Sequence, residues 1–299
     1  MGAARADPRH TAAMQRETDN LKGAALMAAA ALVFAAEALM VRALTARGVP
    51  VEMQVFFRAI GQIVWISPLL LRAGAQVFHT QRAPMHILRG LCSVTTWGFY
   101  YLSFVYLDLA TATVLSFTNV MFTTLLAGPL LGERVDAARW IGTIAGFIGV
   151  AIMLRPGAEL SALGAAVALA SALCWCGITL TSRSLTRTER TETVVAWVGL
   201  VTSLVSLPFA IMAWVPLDAG TLALLLVFAL FTPGIIWLLT EALRAGEASA
   251  VAPFQYLRLV VIAGFGWLLY GEVPDAFAIA GALFILGGAV VITVAEARR

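Results

Sequence analysis

Charge is scarce in this chain of 299 residues: Asp, Glu, Lys and Arg make up 12% of it, against about 25% in a typical soluble domain, while 61% is hydrophobic. A soluble protein of this length needs a charged exterior, so the scarcity excludes that class. Metal and redox chemistry also have little to work with. His10, His79 and His86 fall in tail or loop regions, where they read as ordinary solvated residues. Cys92, Cys174 and Cys176 fall inside apolar stretches, at a spacing suited to neither a metal nor a disulfide, and read as small packing residues. There is no Walker A loop, no H-E-x-x-H and no helical pairing of acids with histidine, so ATP hydrolysis and zinc hydrolysis are unsupported and no catalytic residue, metal or cofactor is expected. The polar first 20 residues read as a solvated tail with no evident cleavable signal peptide.

What the chain has is apolar runs of about 20 residues, the length that spans a bilayer's hydrocarbon core. They fall at 21–44, 51–71, 84–106, 109–131, 137–155, 160–182, 193–214, 219–241, 248–270 and 276–295, which predicts an all-α membrane protein of ten transmembrane helices. With the N-terminus in the cytoplasm, 15 of the 20 Lys and Arg residues fall on the cytoplasmic side. Only Arg42, Arg47 and Arg155 fall outside, and Arg58 and Arg258 lie within spans. The asymmetry places both termini in the cytoplasm. It also accounts for the net charge of +3 without nucleic acid.

The chain repeats itself. Residues 23–45 align with 164–186 at an offset of 141, with 10 of 23 identical, from Gly23/Gly164 to Arg42/Arg183, Leu44/Leu185 and Thr45/Thr186. At an offset of 139, Leu130, Gly132, Glu133, Asp136, Gly142 and Gly149 match Leu269, Gly271, Glu272, Asp275, Gly281 and Gly288. Glycine is able to end a helix in a left-handed conformation, and the acids to cap the next one. Five spans per half is an odd number, so the copies cross in opposite senses. The expected architecture is a tail (1–20) and two inverted five-helix repeats, 21–155 and 160–295.

Leu88-Arg89-Gly90, Tyr100-Tyr101-Leu102, Leu109-Ala110-Thr111-Ala112-Thr113, Ser116-Phe117-Thr118 and Leu131-Gly132-Glu133-Arg134 resemble the EamA type of the drug/metabolite transporter superfamily. The second half answers with Ala248 to Arg258 and Tyr270-Gly271-Glu272. The resemblance implies two packed five-helix bundles around a central cavity, transport of a small organic solute by alternating access, and residence in a bacterial inner membrane. It looks most like the branch that carries S-adenosylmethionine, riboflavin and amino-acid-like metabolites. Where relatives often carry proline, before and within the fourth span, this chain has Asp108 and Asn119, so no kink is expected there.

Ionisable groups inside a span cost about 2.5–3.5 kcal/mol each on insertion scales, so each calls for a partner or a purpose. Arg258 falls near the middle of the ninth span, and its mate at offset 139 is Asn119; Gln255 and Tyr256 mate with Ser116 and Phe117. Both halves thus set polar groups at one depth, where inverted-repeat transporters build their sites. Glu37 is read either as an amine-binding or proton-coupling carboxylate, or as a partner of Arg58 or Arg42. Arg58 falls within snorkelling reach of the outer interface. Trp97 and Tyr101 share a helix face at i and i+4, with Tyr100 pointing elsewhere, and Trp175, Trp237 and Tyr256 are further candidates to line a cavity around a planar or cationic ligand. Gly142-x-x-x-Gly146 reads as tight helix packing.

The substrate-binding set is therefore Arg258, Asn119, Gln255, Tyr256, Ser116, Glu37, Arg58, Trp97 and Tyr101, for a zwitterionic or anionic-aromatic metabolite, with protons as a candidate coupling ion. An intramembrane enzyme acting on a lipid or isoprenoid is the rival from another class, and a sensor or scaffold a third. Ligand, direction of movement and oligomeric state stay open.

Overall fold

The computed structural model describes residues 20–131, 137–153, 160–185, 188–245, 254 and 256–297. Those residues build helices, and no strand occurs among them. In chain order they are α1 (Asn20–Ala46), α2 (Val51–Ala73), the short turn Gly74–Phe78, α3 (Ala83–Tyr106), α4 (Leu109–Ser116), α5 (Asn119–Leu131), α6 (Ala137–Met153) and α7 (Ala162–Leu185). Then follow α8 (Thr191–Met212), α9 (Ala219–Phe231), α10 (Pro233–Ala245), α11 (Leu257–Tyr270) and α12 (Ala276–Ala297).

Seven segments are long and apolar enough to cross a membrane: α1, α2, α4 run on into α5, α7, α8, α9 run on into α10, and α12. Within α6 and α11, Trp140–Ile152 and Leu257–Tyr270 are apolar but shorter. α3 has the length but buries a polar face of His86, Ser93, Thr96 and Ser103. Large apolar side chains such as Leu204, Val260, Leu268 and Leu283 point outward. Aromatic and small or hydroxyl-bearing residues such as Tyr100, Phe104, Ala35, Thr113 and Ser116 are buried. That is the distribution expected where the surroundings are as apolar as the interior.

Helix ends follow local chemistry. Asp108 caps α4, accepting from the Thr111 N–H at 2.7 Å. Asp218 caps α9, and hydrogen bonds from the Thr221 hydroxyl and N–H hold its exposed carboxyl below the usual range. Gly271 ends α11 at φ +67°, and Asp275 then accepts from Ala278 N at 2.6 Å at the start of α12, as the Gly/Asp pattern predicts. The matching Gly132, Glu133 and Asp136 lie outside the described residues.

Two long runs are interrupted. The fourth does break, between Ser116 and Asn119, although it has no proline there. Hydroxyl and amide side chains do the work instead: Ser116 Oγ donates to Thr113 O at 2.6 Å, Thr118 Oγ1 to Leu115 O at 2.6 Å and Asn119 Nδ2 to Ser116 O at 2.7 Å. The eighth breaks at Thr232, before Pro233, whose missing N–H cannot continue the ladder.

The helices pack as α6 on α12, α3 on α7, α1 on α10 and α2 on α8. The first contact rests on glycine. A Cβ built on Gly142 would lie 2.6 Å from Gly288 O, and one on Gly149 2.6 Å from Gly281 O. Rising numbers on α6 meet falling numbers on α12, so the two helices are antiparallel. Gly146 abuts Met121, in keeping with a packing role for the Gly142/Gly146 pair. Replacing Gly142 or Gly149 by Val forces the same backbone apart from either end. Each change is expected to cost about 1–3 kcal/mol, read as comparable drops in Tm of the purified protein; no drop in either would mean that the two helices do not depend on this contact.

Candidate functional site

A cavity of about 120 Å³ lies where α1, α5, α7, α10 and α11 converge. Its wall is apolar (Met27, Ala30, Ala31, Phe34, Phe117, Val120, Trp175, Ile235 and Leu239) apart from Asn119 and Arg258. Arg258 is 7% exposed and stands at the start of α11, not midway along a helix. Its Cζ lies 4.3 Å from the centre of the Phe34 ring, 4.1 Å from Phe117 and 5.7 Å from Trp175. Among the described residues it makes no ion pair, and its Nε has no hydrogen-bond partner. Ring faces are a weak substitute for a carboxylate, about 0.5–2 kcal/mol each. The site therefore holds a cation with no carboxylate partner among the described residues and with its Nε donor unused.

A second charged group sits behind the aromatic wall. Glu37 is 1% exposed, and its Oε1 accepts from Arg58 Nε at 3.1 Å and from the Tyr101 hydroxyl, while Oε2 is buried without a partner. The Arg58 guanidinium lies 3.6 Å from the Trp97 ring centre. Trp97 in turn packs on Phe34 and Trp175, with ring centres 6.1 and 5.5 Å away. Of the two partners the sequence allows for Glu37, the structure selects Arg58. Arg58 is 6% exposed and turned inward, so it does not snorkel, because the buried carboxylate and the indole face outbid the interface.

Arg42 makes a separate junction. Its Nη2 lies 3.2 Å from Glu272 Oε1, its Nη1 donates to the carbonyls of Phe104 and Leu107, and Glu272 Oε2 accepts from Leu109 N at 3.0 Å. One ion pair thus ties the C-terminal ends of α1, α3 and α11 to the start of α4. Burial pushes the Glu272 carboxyl above its usual range, with Asp108 adding to the rise, against the opposing pull of Leu109 N–H and Arg42.

Of the residues singled out from sequence, Arg258 and Asn119 line the cavity together. Glu37, Arg58, Trp97 and Tyr101 form the cluster behind it. Tyr256 is half-buried, its ring 5.0 Å from Phe117 and its hydroxyl 3.5 Å from Thr293 Oγ1. Ser116 is buried, its hydroxyl turned to Thr113 O. Gln255 lies outside the described residues. Trp237 is 56% exposed and faces away from the cavity. His86 is not solvated: it is fully buried in the first turn of α3, stacked 5.5 Å from Trp197, with Nε2 4.0 Å from Glu189 Oε2. Phe34 is a cavity-lining side chain that sequence reasoning passed over, and Glu272, read there only as a cap for the next helix, pairs with Arg42. The signal for Phe34 was its alignment with Trp175 at the 141 offset, and the two rings stack 6.1 Å apart at 19°.

The EamA-like transporter family matches residues 21–155 and again 162–294, nearly the whole chain. The chain belongs to that family. As an EamA-like transporter it is an integral membrane protein. It is 29% identical over 244 residues to an S-adenosylmethionine uptake transporter of Rickettsia prowazekii, covering 81% of this chain and 82% of that one. It is 33% identical over 233 residues to a riboflavin transporter of Rhizobium johnstonii (78% and 77%), and 30% identical over 275 residues to a pseudopaline exporter of Pseudomonas aeruginosa (90% and 95%). A solved crystal structure superimposes with a TM-score of 0.62 over 93% of this chain and 99% of that one, at 21% identity, a likeness of fold alone.

In this EamA-like transporter, removing one member of the Glu37–Arg58 pair strands a buried charge. Arg58→Gln is expected to cost about 3–5 kcal/mol, and Glu37→Gln/Arg58→Gln clearly less, because the double change leaves no charge behind. Thermal unfolding of both variants in detergent checks this; equal losses would mean that the two groups are not coupled.

Proposed function

We propose that the protein is a secondary transporter that moves a small organic metabolite across a bacterial inner membrane by alternating access. In this reading ten spans form two inverted repeats, 21–155 and 160–295, with both termini cytoplasmic. The observation that carries it is the self-mated cavity. Phe34 and Trp175 align at offset 141, Phe117 and Tyr256 at 139, and Asn119 and Arg258 at 139, and the members of each pair meet at or beside one cavity. The glycine contacts support the same two-fold relation: Gly142 against Gly288 becomes Gly281 against Gly149 when the halves are exchanged. α5 and α11 also begin at matching positions, so both repeats aim a helix start at the cavity, the arrangement expected of broken-helix transporters.

Loop charges put the Arg42–Glu272 junction on the outer side. Met27, Ala30, Leu239 and Ile235 belong to the cytoplasmic halves of their spans. In this reading the junction latches the outer side and the cavity lies toward the cytoplasm. The names of its relatives, for S-adenosylmethionine, riboflavin and pseudopaline, span planar and zwitterionic solutes, and a lone guanidinium in an aromatic wall suits a zwitterionic or anionic-aromatic one. An intramembrane enzyme would need converging acids and bases, and no acid is among the described residues that line this cavity.

A thermal-shift screen of metabolites on purified protein identifies a solute, since a ligand of the native state raises Tm. Arg258→Ala is expected to cut the flux of that solute into proteoliposomes at least about tenfold, equivalent to about 1.4 kcal/mol; unchanged flux would remove the site. For the latch, a membrane-impermeant thiol reagent added outside should label Leu107→Cys several-fold faster when Glu272→Gln is also present, in a background without native cysteines. Gly132→Cys and Gly271→Cys should label from opposite faces of the membrane, and labelling from one face would sink the inverted repeat.

A further inference from the structure

The charge that a solute meets in this cavity is set by a residue that does not line it. Arg258 is the charged residue of the lining. Yet an acid, Glu37, stands one turn along α1 from Phe34, close enough to bear on the same space. Left ionised and alone, it would draw amines and sulfonium-like cations to the aromatic wall. Arg58 prevents this. Its Nε, 3.1 Å from Glu37 Oε1, cancels the carboxylate, and its guanidinium is held behind the cavity wall on the Trp97 ring, 3.6 Å from the ring centre. Tyr101 holds the same carboxylate oxygen in place.

We infer that Arg58 is a specificity-determining residue: by neutralising Glu37 it leaves Arg258 as the uncompensated charge among the described residues at the cavity, and so makes the site prefer anionic solutes to cationic ones. This rests on the reading of the cavity as the solute site. The asymmetry of the duplication fits the role. Glu37 aligns with Ile178, so the acid and its partner belong to one half alone and are not needed by the repeat as architecture. An acid kept beside the site but switched off by a neighbour also offers a short route to changed selectivity, because one substitution uncovers it.

The test uses two probes with one ring and opposite charges, benzoate and benzylamine, measured by concentration-dependent thermal shift on the full chain in detergent at neutral pH. The wild-type protein is expected to bind benzoate at least about tenfold more tightly, and Arg258→Gln to lose that binding. Arg58→Gln should move the benzoate-to-benzylamine ratio at least about tenfold toward benzylamine, and Glu37→Gln/Arg58→Gln should restore the preference for benzoate. Should Arg58→Gln fail to fold, Glu37→Gln alone still decides, because it leaves the Arg58 charge uncancelled and must shift the ratio further toward benzoate. A benzoate shift that survives Arg258→Gln removes the cavity as the solute site, and with it the reading beneath. Benzoate binding that is lost in Arg258→Gln while the ratio stays put in Arg58→Gln and Glu37→Gln overturns only the role given to Arg58.

Discussion

A guanidinium buried without a carboxylate is the constraint around which the rest of this molecule is arranged. Arg258 is held by ring faces and by little else, an expensive state in an apolar medium, where an uncompensated charge survives only if something useful is done with it. The aromatic residues of α1, α4–α5 and α7 meet around it, and the helix that carries it starts one residue before it. The start of a helix is the wrong end for a cation as far as the helix dipole is concerned, which adds to its hunger for an anionic partner.

Two Arg–Glu pairs, one buried and one half-buried, are handled differently, and the contrast is informative. Glu37 and Arg58 pair through Oε1 with a net charge of zero, Oε2 being left without a partner. Arg42 and Glu272 also satisfy each other, but each spends further hydrogen bonds on backbone groups of α3 and α4. That junction holds the ends of α1, α3 and α11 against the start of α4. An arginine held by rings, a buried Arg–Glu pair and a half-buried one at helix ends are separated by burial and by what the leftover donors can reach.

The helix interruptions show how sequence and structure diverge. The fourth run was expected not to kink near Asn119 because proline is missing there, its one proline, Pro129, lying near the far end. It breaks because Ser116, Thr118 and Asn119 present side-chain donors that take up the carbonyls a break sets free, at no net loss of hydrogen bonds. In the eighth run Pro233 was a visible signal that went unread. His86 was assigned to a loop although the apolar run 84–106 contains it, and α3, which begins three residues earlier, tucks the ring against Trp197.

Hydropathy, duplication and the Gly/Asp signals were determined by the chain alone, because each depends on local spacing: the length of a run, an offset of 139 or 141, a glycine that tolerates positive φ. The mating of Asn119 with Arg258 was legible for the same reason. What only the tertiary structure decided is which charges meet. Glu37 could face Arg42 or Arg58, and Arg42 is five residues from Glu37 but bonds with Glu272, 230 residues away. Pairing between helices depends on how they rotate and cross, and that is fixed by glycine-to-backbone contacts and ring packing on several elements at once, which no single stretch of sequence contains.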